Sequence, residues 1–177
     1  MKLIRKVAAF GAICLVFAGS AWQVAEGQQR TTSLFSTGCV ERGFASSDNT
    51  NISIGRELFT SIYKMGAGSN PFNEGGSAVT CRIRPGGSPP RFKTLRLAFG
   101  MADDERSKGV LEVNIYLDGV QVESRSIGQG DKALVLLDVS RASSIAIEIP
   151  WDKNSFGYIR FFQALLEPIS SSPGRRR

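Results

Sequence analysis

Trp151-Asp152-Lys153-Asn154-Ser155-Phe156-Gly157-Tyr158 concentrates more chemically useful side chains than any other stretch of the chain, setting aromatic rings among hydroxyl, amide and carboxylate groups. An exposed aromatic face can stack on the C–H groups of a sugar ring, while nearby amides or carboxylates bind its hydroxyls. Trp151 and Tyr158 are therefore candidate carbohydrate-binding platforms, with Asp152 and Asn154 as hydroxyl partners. The competing expectation is that Trp151 folds back onto the edge of the domain, because aromatics bury area where they can. Tyr63 and Tyr116 rank lower, and both fit equally well as ordinary strand residues.

Catalytic constellations are scarce. The chain has no histidine, which excludes Ser-His-Asp and Cys-His arrangements. Asp103, Asp104 and Glu105 supply adjacent carboxylates, and a glycosidase needs two. A retaining pair must face the same bond from different elements, however, whereas neighbours on one loop fit a solvated turn. No acid–base pair can be assembled from these residues, so an enzyme is not expected. Asp103 and Asp104 could instead ligate calcium through oxygen, although the motif is far shorter than an EF-hand loop. No other cofactor is expected.

The cysteines depend on the compartment, which the N-terminus addresses. Lys2, Arg5 and Lys6 form a basic patch, followed by an apolar stretch from Val7 to about Gly19 and then small residues. This is the pattern of a secretory signal peptide over residues 1–27, with cleavage expected after Ala21 or Gly27. The apolar stretch is shorter than the roughly 20 residues of a membrane-spanning helix. Lipidation at Cys14 is not expected, because Ile13 stands where such sites need a small residue. Export leaves Cys39 and Cys81 where disulfides persist, and their pairing is expected. Such a bridge would contribute on the order of 4 kcal/mol in the chain-entropy model. A zinc site is poorly supported, with no histidine and no Cys-x-x-Cys.

The net charge of +6 is misleading as a sign of nucleic-acid binding. Lys2, Arg5, Lys6 and Arg175-Arg176-Arg177 account for all of it, and residues 7–174 are close to neutral. Residues 169–177, with their serine run and three arginines, are expected to form a disordered basic tail. Residues 28–168 are expected to form a single domain.

Its hydrophobic pattern has period two. Leu95, Leu97, Phe99 and Met101 alternate with smaller or polar residues, as do Leu111, Val113, Ile115 and Leu117, and again Ile145, Ile147 and Ile149. Such runs present one face of a strand to a core. Ala133–Val139 is nearly continuous apolar sequence, as expected of a strand buried on both sides. Weaker strands are expected at Leu58–Met65, Ala78–Ile83, Val120–Ser126 and Tyr158–Leu166. Asp118-Gly119 marks a tight hairpin, and glycine- or proline-rich turns break the other runs. The fold class is therefore all-β: an antiparallel β-sandwich or jelly roll with Leu97, Phe99, Val113, Ile115, Val135, Leu137, Ile147 and Ile149 in its core.

Phe92-Lys93-Thr94-Leu95, Phe99-Gly100-Met101-Ala102-Asp103-Asp104, Lys108-Gly109-Val110-Leu111-Glu112-Val113 and Tyr116-Leu117-Asp118-Gly119 carry a family resemblance. Leu137-Asp138-Val139-Ser140 and Ile145-Ala146-Ile147-Glu148-Ile149 extend it. Together they resemble the NPCBM/NEW2-like group of carbohydrate-binding modules, β-sandwich jelly rolls related to galactose-binding-like domains. The likeness covers roughly Ser77 to Pro168, with a vaguer extension to Leu58, and the residues before Leu58 match nothing in it. It implies an exported bacterial, non-catalytic module, secreted, periplasmic or on the cell surface, that binds a polysaccharide or cell-surface glycan. The alternative is an envelope domain that reuses the fold to hold a structural or protein partner. Neither nucleic acid nor a membrane span in the mature chain is expected.

Overall fold

The computed structural model describes residues 30–68 and 75–169. The expected signal peptide and all but Ile169 of the expected tail lie outside the described residues. Eleven strands account for most of the described chain: β1 (Thr32–Ser33), β2 (Gly38–Arg42), β3 (Phe44–Ile54), β4 (Glu57–Ala67), β5 (Ser77–Arg82), β6 (Phe92–Gly100), β7 (Leu111–Leu117), β8 (Val120–Ile127), β9 (Lys132–Asp138), β10 (Ser144–Ile149) and β11 (Gly157–Pro168). They form two antiparallel sheets. One has the order β3-β4-β11-β6-β9 with β1 beside β11, and the other β2-β5-β10-β7-β8. The fold is a jelly-roll sandwich.

The period-two runs build the core as their pattern requires. Leu97, Phe99, Val113, Ile115, Val135, Ile147 and Ile149 are buried between the sheets, and Leu137 packs half-buried against them. Phe161 is the hub of an aromatic cluster, 5.3 Å from Phe99 and 5.7 Å from Phe35 by ring centroids. Phe35 reaches the core from a short 3-10 turn, Leu34–Ser36, and stacks on Tyr63 at 4.0 Å. The Tyr63 hydroxyl donates to Glu41. Cys39 and Cys81 stand opposite one another on β2 and β5 and are joined by a disulfide.

The continuous apolar run contradicts one expectation. β9 is an edge strand, and Leu134 and Leu136 are 56% and 55% exposed on its outer face. Only Val135 and, in part, Ala133 and Leu137 turn inward. An unbroken apolar run does not distinguish a central strand from an edge strand whose outer side chains happen to be apolar.

The β3–β4 hairpin adds a second small core on the outside of its sheet. A bulge between Phe161 and Gln163 turns Phe162 to stack on Phe59 at 4.2 Å, and Ile52, Ile54 and Ala102 complete the cluster. The hairpin tip is tied down by Asp103, whose backbone N–H donates to the Ser53 carbonyl at 2.8 Å.

Five connections pass between the sheets at one end of the sandwich: β2–β3, β4–β5, β6–β7, β8–β9 and β10–β11. The β7–β8 hairpin lies at the other end. There Asp118 and Gly119 take φ of 48° and 84°, as a type I′ turn demands.

Candidate functional site

The five-loop end carries the exposed rings and the least satisfied polar groups. The β10–β11 loop (residues 150–156) is its central feature. Asp152 fixes the loop by accepting hydrogen bonds from the Asn154 N–H at 3.2 Å and the Ser155 hydroxyl at 3.0 Å. Lys108, on the β6–β7 loop, exchanges two 3.0 Å backbone hydrogen bonds with Phe156. The loop is thus held from within and from its neighbour.

On one side of it lies a cavity of about 230 Å³ lined by Phe44, Ala67, Gly68, Glu105, Arg106, Phe156, Gly157 and Tyr158. The Tyr158 ring rests on the β4 backbone at Gly66, where a Cβ would stand 2.8 Å from its Cδ1 atom. Any larger residue would lift the ring away. Arg160 and Lys64 flank that ring, at 5.8 and 5.9 Å from its centroid. Phe156, 37% exposed, and half-buried Phe44 supply further apolar wall.

Glu105 is the polar centre of this cavity. Its side chain is only 12% exposed, with the Arg160 guanidinium 3.7 Å from its carboxylate and the charges of Asp104 and Lys64 also acting on it. That separation is longer than a close hydrogen bond, so Arg160 pairs with Glu105 loosely. Burial pushes the Glu105 carboxyl above its ordinary value; the Arg160 charge pulls it part of the way back and Asp104 opposes that pull. Arg160 in turn donates to Asp48 at 2.7 Å. Burial works to raise Asp48, but hydrogen bonds from Ser61, Arg160 and Thr50 outweigh it and hold the carboxyl below its usual value. Arg160 therefore stands between a tightly bonded carboxylate and a loosely paired one.

On the other side of the loop is a groove of about 480 Å³ lined by Trp151, Asp152, Ser155, Pro150, Val110, Leu111, Glu112 and Ser126. Trp151 is 41% exposed there. Trp151 and Asp152 thus share one depression, Tyr158 lines the other, and Asn154 is exposed on the loop between.

Solved structures of known proteins share this architecture. CBM51-2 with the INT domains of Clostridium perfringens ZmpB superposes with a TM-score of 0.57 at 13% identity, over 78% of this chain and 32% of that one. The same CBM51-2 and INT domains, in complex with GlcNAc, give a TM-score of 0.58 at 11% identity, over 78% and 32% of the two chains. CBM51 from Clostridium perfringens GH95, in complex with methyl-galactose, gives 0.55 at 12%, over 77% of this chain and 99% of that one. The fold is that of a CBM51 module. This chain spans about a third of those ZmpB chains and matches nearly the whole of the GH95 module. No family model and no curated protein matches the sequence.

Asp103, a calcium candidate by sequence, spends its carboxylate on the hairpin. It accepts from the Ser53 hydroxyl at 2.6 Å and from the N–H groups of Gly55 and Arg56 at 2.8 and 3.1 Å. The Ser53 hydrogen bond foremost, then those from Arg56 and Gly55, lower its pKa. Among the described residues, no three His, Cys, Asp or Glu side chains gather where they could hold a metal ion. Nor is any helix among them long and apolar enough to cross a membrane.

Sequence reading missed Phe44, Arg106 and Arg160 as site residues and saw Glu105 only as one of three loop carboxylates. Arg160 left a signal, a charge between the apolar Ile159 and Phe161 of a strand. Phe44 left none, since only the fold brings it to Tyr158.

Proposed function

We propose that this chain is an exported, non-catalytic carbohydrate-binding module, kin to the NPCBM/NEW2-like group, which holds a sugar unit of an extracellular glycan in the cavity between Phe44, Glu105, Phe156 and Tyr158. The observation that carries this reading is the Glu105 carboxylate: largely buried, walled by aromatic rings, and paired only loosely with the Arg160 guanidinium at 3.7 Å. Burying a carboxylate without close hydrogen bonds is costly, and a ligand hydroxyl would supply a closer donor. The rings offer stacking surface for the C–H faces of the same sugar. The fold shared with CBM51 modules, two of them solved with GlcNAc and methyl-galactose, agrees with this reading. Among the described residues, Glu105 is the one carboxylate lining the cavity, which agrees with a site that binds a sugar.

The test is a glycan array probed with the mature domain. Retention on neutral glycans that present galactose or N-acetylglucosamine is expected, with weak affinity for a small, open site. A second reading, an envelope protein-interaction domain, is favoured by the exposed Leu134 and Leu136 on edge strand β9. An array without retention on any glycan would replace the first reading with the second.

A further inference from the structure

The β10–β11 loop divides two depressions along a single run of backbone. Ser155 lines the Trp151 groove, and Phe156, the next residue, lines the Tyr158 cavity. Consecutive Cα atoms are about 3.8 Å apart, so the two depressions flank the same short stretch of backbone from its two sides. Phe156 stands on that divide with its ring 37% exposed.

The groove, like the cavity, sets an aromatic ring beside a carboxylate, although its residues come largely from other elements and include no cation. Trp151, Pro150 and Val110 give it an apolar floor, while Glu112, Ser126, Asp152 and Ser155 line it with acceptors and hydroxyls. Trp151 keeps its indole exposed on a loop already fixed by the Asp152 hydrogen bonds and the Lys108–Phe156 pair. An exposed aromatic on a preorganised loop loses little conformational entropy when something stacks on it. The charged side chains lining the groove, Glu112 and Asp152, are both carboxylates, which suit neutral hydroxyls and repel acidic sugars.

We propose that the Trp151 groove is a second sugar subsite, and that the ligand is a neutral oligosaccharide which passes from the Tyr158 cavity over Phe156 into it. The inference rests on the reading of the cavity as a sugar site. It adds that the protein recognises a chain of units and not an isolated end.

The experiment titrates the exported domain with methyl-galactose, with N-acetylglucosamine, and with a neutral tetrasaccharide of alternating galactose and N-acetylglucosamine. The unaltered domain should bind the tetrasaccharide more tightly than either single sugar. Trp151→Ala should lose roughly tenfold on the tetrasaccharide, as expected for one stacking platform, and nothing on the single sugars. Glu112→Ala, on β7 and away from the loop fold, should show a smaller loss on the tetrasaccharide alone. Tyr158→Ala should lose both. If Trp151→Ala and Glu112→Ala bind the tetrasaccharide as the unaltered domain does, the second subsite is wrong while a Tyr158→Ala loss leaves the cavity standing. A tetrasaccharide that binds no tighter than the single sugars also overturns the subsite. If Tyr158→Ala binds everything normally, or the unaltered domain binds none of the three, the cavity reading falls and takes the subsite with it.

Discussion

Two carboxylates at opposite ends of the sandwich, Asp118 and Glu105, stand in opposite circumstances. At the hairpin end, Asp118 accepts hydrogen bonds from the backbone N–H groups of Ser143 and Ser144, at 2.9 and 2.8 Å, and from the Ser144 hydroxyl at 3.2 Å. Burial works to raise its carboxyl, but the Ser143 and Ser144 hydrogen bonds outweigh it and hold it below the ordinary value. It ties the β7–β8 turn to the start of β10 and has little capacity left. At the five-loop end, Glu105 is more deeply placed and is paired only loosely, with the Arg160 guanidinium 3.7 Å away. Burial raises its carboxyl where hydrogen bonding lowers that of Asp118. Asp118 thus serves the architecture, whereas the loosely paired Glu105 is the group that the proposed sugar site would use.

That contrast can be attacked first through the core both ends share. Phe161→Ala removes the hub of the aromatic cluster and should cost about 3–5 kcal/mol, seen as a large drop in thermal midpoint. Both ends should then fail together, with glycan retention lost only as the fold is lost. Retention that vanishes well below the unfolding temperature would mean that the loop end melts separately.

A smaller effect sharpens the contrast itself. Asp118→Ala should destabilise by about 1–2 kcal/mol in urea unfolding, through lost turn hydrogen bonds and an unfavourable φ for alanine. It should leave glycan retention unchanged. Weakened retention in a fully folded Asp118→Ala protein would show that the two ends are coupled.

Much of the fold was legible in the chain because one face of each central strand is buried. Leu95, Leu97 and Phe99 on β6, or Ile145, Ile147 and Ile149 on β10, announce themselves by period two. Asp118-Gly119 announces its turn by needing positive φ twice. β3 was hidden because Ala45-Ser46-Ser47-Asp48-Asn49-Thr50-Asn51 is mostly exposed and polar, an edge strand with β4 as its strand partner. β9 misled because its outer Leu134 and Leu136 are apolar without being buried. The site was half legible. Trp151 and Tyr158 stood out as aromatics among polar neighbours, but the direction of the loop, which sends them to opposite sides, depends on Lys108 and Asp152. Phe44 and Glu105 lie far apart in sequence, and sheet order alone brings them together at Tyr158.

The most direct measurement compares Glu105→Gln with the unaltered domain, by calorimetric titration with the best-retained glycan of the array and by thermal unfolding near neutral pH. Between the ordinary carboxyl value and its raised folded value, the native state holds a proton that the unfolded chain has released. Ionised Glu105 therefore costs stability as pH rises through that window. Glutamine is neutral at every pH, so the midpoint should stay level or rise, while glycan affinity falls about tenfold or more with the loss of a charged hydrogen-bond acceptor. Affinity unchanged in a folded Glu105→Gln protein would contradict the assignment of this cavity to a sugar.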